Sequence, residues 1–454
     1  MKNPTPGLAL IFCLVLARLP AATVPPPPRT AIRLVELSTA HPEELRAAIE
    51  ADFTPEALND GTAWSGHGAD FFFAVSTKSQ PSLMIDDRLQ TAMIRIGGSD
   101  LWYATTKIPG FGHAHVYHYL IDGQPFGGSW DLPVLGPLSY LQPGVPSGRL
   151  SEKLVHTSKI YDGMKSEYWI YVPAQYDPGT AAALMVFQDG GGYLDRDGYG
   201  PALNAIDNLI AQKLIPVMIC VFINPGDISG SPGTPTYQAA KAYEKHWPGR
   251  PFGSCMRSVL YDTVSDRYPR FLRDEIIPEL AKAYHLRSDS YSHAITGGSS
   301  GGISSFNAAW QMPEVFSRVL SWIGSFTSIQ WKEDPAVEEG GQDYPDKVLR
   351  GPHRNIRVWL QDGNHDMSGR PLEVWWGPWP LANLRMAQAL KFKDYDFHFS
   401  FGQGTHSGAQ GQAEFPASMI WLWRDYDPAK TEQSYTMEPE EKAKPPFLVK
   451  LIGR

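Results

Sequence analysis

Ala294-Ile295-Thr296-Gly297-Gly298-Ser299-Ser300-Gly301-Gly302-Ile303 decides how the rest of the chain is read. The apolar run from Ser292 to Thr296 reads as a buried strand, and Ile303 to Trp310 continues at helical spacing. Between them glycines flank a serine pair in the pattern G-x-S-x-G. A serine on such a tight strand-to-helix turn has its hydroxyl pushed into the open, and small residues on either side let strand and helix approach. The N–H of the next residue then points at negative charge developing on a bound carbonyl oxygen. Two frames fit: Gly297 to Gly301 centres on Ser299, and Gly298 to Gly302 centres on Ser300.

A serine nucleophile needs a base, and the base needs a third group to fix its tautomer. Both residue types follow downstream. Arg357-Val358-Trp359-Leu360-Gln361 reads as a strand running into Asp362-Gly363-Asn364-His365-Asp366, where Asp362 and Asp366 are both candidates for the acid. Asp396 to Phe401 alternates as a strand and runs into Gly402-Gln403-Gly404-Thr405-His406. His365 neighbours the acid and His398 sits inside a strand, so His406, in a glycine-rich loop, is the histidine free to reach the serine. Each group lies beyond the carboxyl end of a strand, where open α/β sheets bind ligands. The Ser300 amide supplies one donor for an oxyanion. The other is expected from Asp189-Gly190-Gly191-Gly192, which resembles the glycine-rich oxyanion loop of lipases and esterases; Gly190 and Gly191 can approach a substrate closely because they lack a β-carbon.

Outward from the elbow, Ala183 to Gln188, Pro216 to Ile223 and Val319 to Ile323 read as further strands, with Pro201 to Gln212 and a long amphipathic Tyr261 to Tyr284 as helices. Val155 to Ile160 and Glu167 to Val172 form a hairpin around Asp162-Gly163. This alternation implies a largely parallel sheet with helices on both faces over residues 151–430. The tail, 431–454, is charged and expected to be loose.

The first part reads differently. Ile32 to Leu37 has the look of a strand and Pro42 to Glu50 of a helix; short strands follow at Phe71 to Val75, Ser82 to Ile85, Ala92 to Ile96 and Trp102 to Thr106. Ala114 to Ile121 then runs into Asp122-Gly123, a hairpin signal. Frequent short strands indicate a small β-sandwich over residues 30–150, and Gly127 to Gly148 reads as a surface linker. His113 and His115 share a strand face, but an isolated H-x-H is a weak metal signal. Neither a metal nor a cofactor is expected. Ahead of this part, residues 1–22 read as a signal peptide, with an apolar run from Gly7 to Ala17 and small residues near Ala21 and Ala22. The protein is therefore expected to be secreted or periplasmic, without a membrane anchor.

The 454 residues are 43% hydrophobic and carry a net charge of −8 without a lysine-arginine block, which argues against nucleic acid as a partner. Fourteen tryptophans suit a carbohydrate or aromatic ligand. Trp375, Trp376 and Trp379 are placed to line a substrate pocket. Cys220 lies in a buried-strand pattern and Cys255 in a loop candidate.

Asp100-Leu101-Trp102-Tyr103, followed by Tyr117 to Gly123, resembles the immunoglobulin-like modules ahead of catalytic domains in glycogen-branching enzymes and some bacterial esterases. Such a module is expected to be a structural shoulder, with Trp102 in its core. From about Lys153 to Tyr426 the chain resembles the esterase D-like branch of α/β-hydrolases, which includes enterochelin esterases and bacterial feruloyl and acetylxylan esterases. The matching pieces, in family order, are Val186 to Gly192, Arg257-Ser258 with Tyr261-Asp262, Gly297 to Gly302, Gly363 to Asp366, Trp379 to Asn383 and Gly402 to His406. The resemblance implies an α/β-hydrolase domain, with Ser299 as nucleophile, Asp366 as acid and His406 as base. It implies a serine esterase acting on a small-molecule or polysaccharide ester, feruloyl- or acetyl-type decorations first and a siderophore ester second. Ser368 to Trp376 departs from the family, being longer and more aromatic than the usual connection.

Overall fold

The computed structural model describes residues 30–197, 202–246, 249–329, 340–368 and 377–444. The expected signal peptide lies outside them, as do Trp375 and Trp376. Among the described residues, no helix is long and apolar enough to cross a membrane.

The described chain begins with helices Thr30–Ala40, Pro42–Asp52 and Pro55–Asp60. The expected strand at Ile32 to Leu37 is thus a helix. Ala31 and Leu34, three apart, face inward, and Leu34 joins a cluster with Leu45, Ile49, Phe72 and Leu101. Tertiary burial at helical spacing outweighs the local aliphatic run. Eight strands follow: β1 Ala63–His67, β2 Asp70–Ser76, β3 Pro81–Ile85, β4 Leu89–Ala92, β5 Ile94–Arg95, β6 Leu101–Lys107, β7 His113–Ile121 and β8 Gln124–Val134. They form two antiparallel sheets, β1-β2-β6-β5 and β4-β3-β7-β8. Phe71, Phe73 and Val75 alternate along β2 toward Leu83, Ile85, Tyr117 and Tyr119 of the other sheet. Phe72 and Ala74 bury the opposite face of β2 under the helices. Trp102 packs in the inter-sheet core and donates its indole N–H to Thr77 O at 2.9 Å. His115 is held by Asp86, with Nδ1 2.7 Å from Oδ2.

The expected linker from Gly127 to Gly148 is mostly structure. β8 runs through its first part, bulged against β7, and a β-carbon on Gly128 would lie 1.9 Å from Tyr117 O. Beyond β8 the chain is pinned to the second unit. Asn208 donates to Leu138 O and Tyr140 O, and the Gly148 amide donates to Tyr171 Oη and Asp207 Oδ1.

The second unit is a nine-stranded sheet made of β9 Arg149–Leu150, β10 Leu154–Thr157, β11 Lys165–Val172, β12 Ala183–Gln188, β13 Met218–Ile223, β14 His293–Gly298, β15 Arg318–Trp322, β16 Arg357–Gly363 and β17 Asp396–Gly402. The order is β10-β11-β13-β12-β14-β15-β16-β17, with β9 beside β11, and pairing is parallel from β13 to β17. β12 and β13 are apolar and buried end to end because helices cover both faces. This is an α/β-hydrolase-like fold.

The expected helix over Tyr261 to Tyr284 is interrupted. One helix ends at Tyr261, and a second, Arg267–Phe271, passes through a π turn at Leu272–Ile276 into Ile277–Ala281. Pro278 has no N–H for the carbonyl four residues back, and the wider turn accommodates it. Cys255 lies in the helix Phe252–Tyr261 rather than in a loop, and both Cys220 and Cys255 are free and buried. The tail is not loose as far as it is described. The Tyr435 and Ser317 hydroxyls lie 2.9 Å apart, and Glu438 accepts from Trp421 Nε1 at 3.0 Å, ahead of a last helix at Pro439–Ala443.

Candidate active site

β14 ends at Gly298, the helix Ser300–Gln311 begins two residues later, and Ser299 between them holds φ 58° and ψ −123°. That backbone region is costly for a residue with a side chain and recurs where function holds a residue in place. The glycines explain how the turn closes. A β-carbon on Gly297 would sit 2.7 Å from Gly301 O, and one on Gly302 would sit 2.9 Å from Ser321 Oγ. The two serines differ in setting: Ser299 Oγ meets His406 in the cleft, whereas Ser300 is buried as the first residue of the helix.

Ser299 Oγ lies 2.7 Å from His406 Nε2, and His406 Nδ1 lies 2.6 Å from Asp366 Oδ1. Asp366 is buried in the turn after β16, where its Oδ1 also accepts the Met367 amide at 2.5 Å. With Nδ1–H donated to the carboxylate, Nε2 is left as an acceptor for the serine hydroxyl.

The remaining candidates point elsewhere. Asp362 is fully buried and accepts from Asn383 Nδ2 and the Gly363 amide, both at 2.7 Å. Burial, with Asp366 beside it, pushes its carboxyl well above the usual carboxylate range. His398 stacks on Trp359 at 4.0 Å, and burial lowers its pKa to about 4. His365 stacks on Trp130 at 3.7 Å and donates to Gln403 O at 2.7 Å.

The Gly190–Tyr193 turn follows β12, led by Asp189 at φ 54°. Arg257 grips Asp189 with two bonds of 2.8 and 2.7 Å and reaches Gly298 O at 3.2 Å, tying this turn to the elbow. Gly190 packs against β13, where a β-carbon would lie 2.2 Å from Phe222 C. The Gly191 amide is engaged by Asn224 Oδ1 at 2.9 Å, so in this conformation it is committed to protein. Ser300, at the first position of its helix, has an amide with no intrahelical partner. Arg257 stood in a sequence motif without a role, and Asn224 carried no sequence signal because it acts through the fold.

The cleft at the serine has a volume of about 490 Å³ and is walled by Tyr193, Arg250, Trp322 and Trp379 beside Ser299 and His406. That is the size of a small organic ligand. Trp379 is 2% exposed, donates Nε1 to Ser325 Oγ at 3.2 Å and meets the His406 ring edge-on at 5.3 Å. It is both wall and packing. Trp322, at the end of β15, also lines the cleft while its ring packs on Tyr193 and Phe415.

The model of the Esterase family, described as "Putative esterase", matches residues 163–422, more than half of the chain. No curated protein is a match. Among solved structures, the chain is similar to the enterobactin esterase FES of Shigella flexneri, with 15% identity and a TM-score of 0.49 over 81% of this chain and 98% of that one. It is similar to the ferric enterobactin esterase of Salmonella typhimurium, with 15% identity and a TM-score of 0.49 over 80% and 96% of the two chains. A third similarity is to the CE1 ferulic acid esterase of Anaeromyces mucronatus, with 15% identity and a TM-score of 0.44 over 62% and 93%.

Proposed function

The chain belongs to the esterase family and is a carboxylic ester hydrolase, and from that premise we propose that it works through Ser299, His406 and Asp366 by way of an acyl-enzyme. The observation that carries this is the unbroken pair of hydrogen bonds, 2.7 and 2.6 Å, from Ser299 through His406 to a buried carboxylate. Ser299 Oγ attacks the ester carbonyl carbon as its proton passes to His406 Nε2. Asp366 holds the ring in the needed tautomer and stabilises the imidazolium. The carbonyl oxygen gains a negative charge, which the Ser300 amide stabilises at the helix N-terminus. A second donor comes from the Gly190–Gly191 turn, with the Gly191 amide released from Asn224 as substrate enters. The C–O bond to the alcohol then breaks, and the departing oxygen takes the proton from Nε2. Water, deprotonated by His406, attacks the acyl-enzyme, and the carboxylic acid leaves with Ser299 restored.

The proposed substrates are feruloyl- or acetyl-type decorations of polysaccharides. The indoles of Trp379 and Trp322 and the ring of Tyr193 give the cleft aromatic walls suited to an aryl acyl group or a sugar. We place the enzyme outside the cytoplasm on the strength of residues 1–22, and read residues 30–150 as an immunoglobulin-like module ahead of the hydrolase domain.

The test is labelling of purified protein with a fluorophosphonate, peptide mapping of the adduct, and a panel of feruloyl, acetyl and glucuronoyl esters. The expected result is an adduct on Ser299 and preferred turnover of feruloyl or acetyl esters. An adduct on Ser300, or none, would overturn the assignment of the nucleophile; preference for a different ester class would overturn the substrate.

A further inference from the structure

The catalytic-histidine loop is held from two sides, and one of them belongs to the other unit of the molecule. On the carbonyl side, the Asn364 amide donates to Gly402 O at 2.9 Å, and the His365 amide to Gly404 O at 3.2 Å. These bonds tie the loop to the turn that carries Asp366. On the amide side, Thr405, the residue directly before His406, donates its N–H to Asp131 Oδ1 at 2.9 Å and its hydroxyl to Asp131 Oδ2. Asp131 lies on β8, the last strand of the sandwich, 274 residues earlier in the chain. Its neighbour Trp130 stacks at 3.7 Å on His365, so two successive β8 residues grip the two loops that meet at the catalytic pair. The helix Ala409–Trp423, which leaves the histidine loop, also packs on β7 and β8.

We infer that Asp131 is a positioning residue for His406, so that the sandwich supplies part of the active-site geometry rather than standing beside it. This rests on His406 being the base. The physical need is plain. Gly402 and Gly404 leave the loop backbone soft, yet His406 must hold Nδ1 2.6 Å from Asp366 and Nε2 2.7 Å from Ser299 at once. A carboxylate bonded to both donors of Thr405 fixes the peptide leading into the histidine. Such charge-assisted bonds are stronger than neutral ones. The fit is close: a β-carbon on Gly404 would lie 3.1 Å from Asp131 Oδ1. A catalytic group displaced by about 1 Å loses on the order of 10²-fold in rate.

The experiment compares Asp131→Ala, Asp131→Asn, Thr405→Val and the Asp131→Ala/Thr405→Val double variant in the full chain. Rates are normalised to sites titrated with fluorophosphonate, and thermal midpoints are measured alongside. Expected for Asp131→Ala is a fall in kcat of about 10- to 100-fold per titrated site, with little change in KM. Asp131→Asn, whose amide oxygen still accepts one bond, recovers part of it. Thr405→Val keeps the backbone arm and costs less, and the double variant is no worse than Asp131→Ala alone. A role confined to stability would lower the midpoint and the number of titratable sites while leaving kcat per site intact; that result overturns the inference, as does additivity in the double variant. Should Asp131→Ala not fold, Thr405→Val and Asp131→Asn decide by the same per-site rate. Ser299→Ala separates the two readings: if it keeps activity, the triad itself fails, whereas an inactive Ser299→Ala beside Asp131 variants of normal kcat removes only the role of Asp131.

Discussion

Two glycine-rich stretches in this molecule solve the same steric problem in opposite settings. At the elbow, Gly297 and Gly301 let a strand and a helix of one unit approach until a β-carbon would lie 2.7 Å from backbone oxygen. In β8, Gly127 and Gly128 let a bulged strand close on its neighbours, where β-carbons would lie 2.6 Å from Asp60 O and 1.9 Å from Tyr117 O. The elbow is packed within its own unit, is half-buried at Gly298 and Ser299 where it borders the cleft, and aims one hydroxyl there. The bulge bends a half-exposed strand, and Trp130 and Asp131 on it meet His365 and Thr405 in the loops that carry Asp366 and His406. Glycine is used in both for close approach, but the first assembles a site from within and the second braces it from outside.

The sharpest way to break this contrast is at the elbow. Ser299→Ala is expected to lower kcat/KM by about 10⁵-fold or more, as loss of a triad nucleophile does. Ser300→Ala keeps its backbone N–H and retains most activity. Ester hydrolysis by both variants, with urea unfolding as control, checks it; comparable losses in activity would mean that the elbow does not separate its serines. Next is the acid. Asp366→Asn is expected to cost about 10⁴-fold in kcat, because the histidine loses its tautomer and its imidazolium its partner. Asp362→Asn is expected to cost less than about tenfold, since a neutral amide replaces a buried carboxyl already pushed toward its neutral form. A pH–rate profile of each variant, normalised to titrated sites, would reverse the assignment if Asp362→Asn were the more damaging.

The brace is tested by Gly128→Ala. At φ 94° with backbone 1.9 Å from the new β-carbon, alanine forces β7 and β8 apart. The expected cost is about 3 kcal/mol or more, read as a shift of the denaturant midpoint, with a loss of kcat because Asp131 moves with β8. Full stability and full activity together would show that β8 tolerates displacement and braces nothing.

Why one stretch was legible in the sequence and the other was not follows from their surroundings. The elbow sits between an apolar run and a helical spacing, so local pattern alone marks it as a junction, and the loops bearing Asp366 and His406 likewise follow strong strand patterns. β8 reads Gln-Pro-Phe-Gly-Gly-Ser-Trp-Asp, with no apolar alternation, because much of it faces solvent; composition alone makes it a linker. The bond from Asp131 to Thr405 spans 274 residues, and no local rule reports such a contact. The first helix is hidden for a related reason: Ile32 to Leu37 is aliphatic enough for a strand, and only the cluster around Leu34 decides for a helix. The tail, too, is charged enough to read as loose, yet Tyr435 meets Ser317 at the start of the interior strand β15.

The smallest effect lies beneath the braced loop and distinguishes the two sides by pH. Glu414, on the helix that packs against β7 and β8, is buried; its Oε1 accepts from Ser400 Oγ at 2.6 Å and Gln410 Nε2 at 2.7 Å. Gln410 in turn lies under Gly402, where a β-carbon would meet its Oε1 at 2.0 Å. Burial pushes the Glu414 carboxyl up to about 7, from an ordinary value of 4.5. The folded pKa lies above the unfolded one, so the native state holds an extra proton between them. This contribution to stability is fully present below about 4.5 and is lost as pH rises through about 7. Glutamine keeps the accepting oxygen and supplies an N–H where the protonated carboxyl has its O–H, without a charge to bury. Glu414→Gln is therefore expected to leave stability near pH 5 little changed and to raise it by about 2 kcal/mol at pH 8, a difference set by the size of the shift. Urea unfolding of both proteins at the two pH values measures it. A gain of equal size at both pH values would mean that Glu414 does not titrate in this window, and a loss at pH 8 would mean that its ionised form holds the histidine loop.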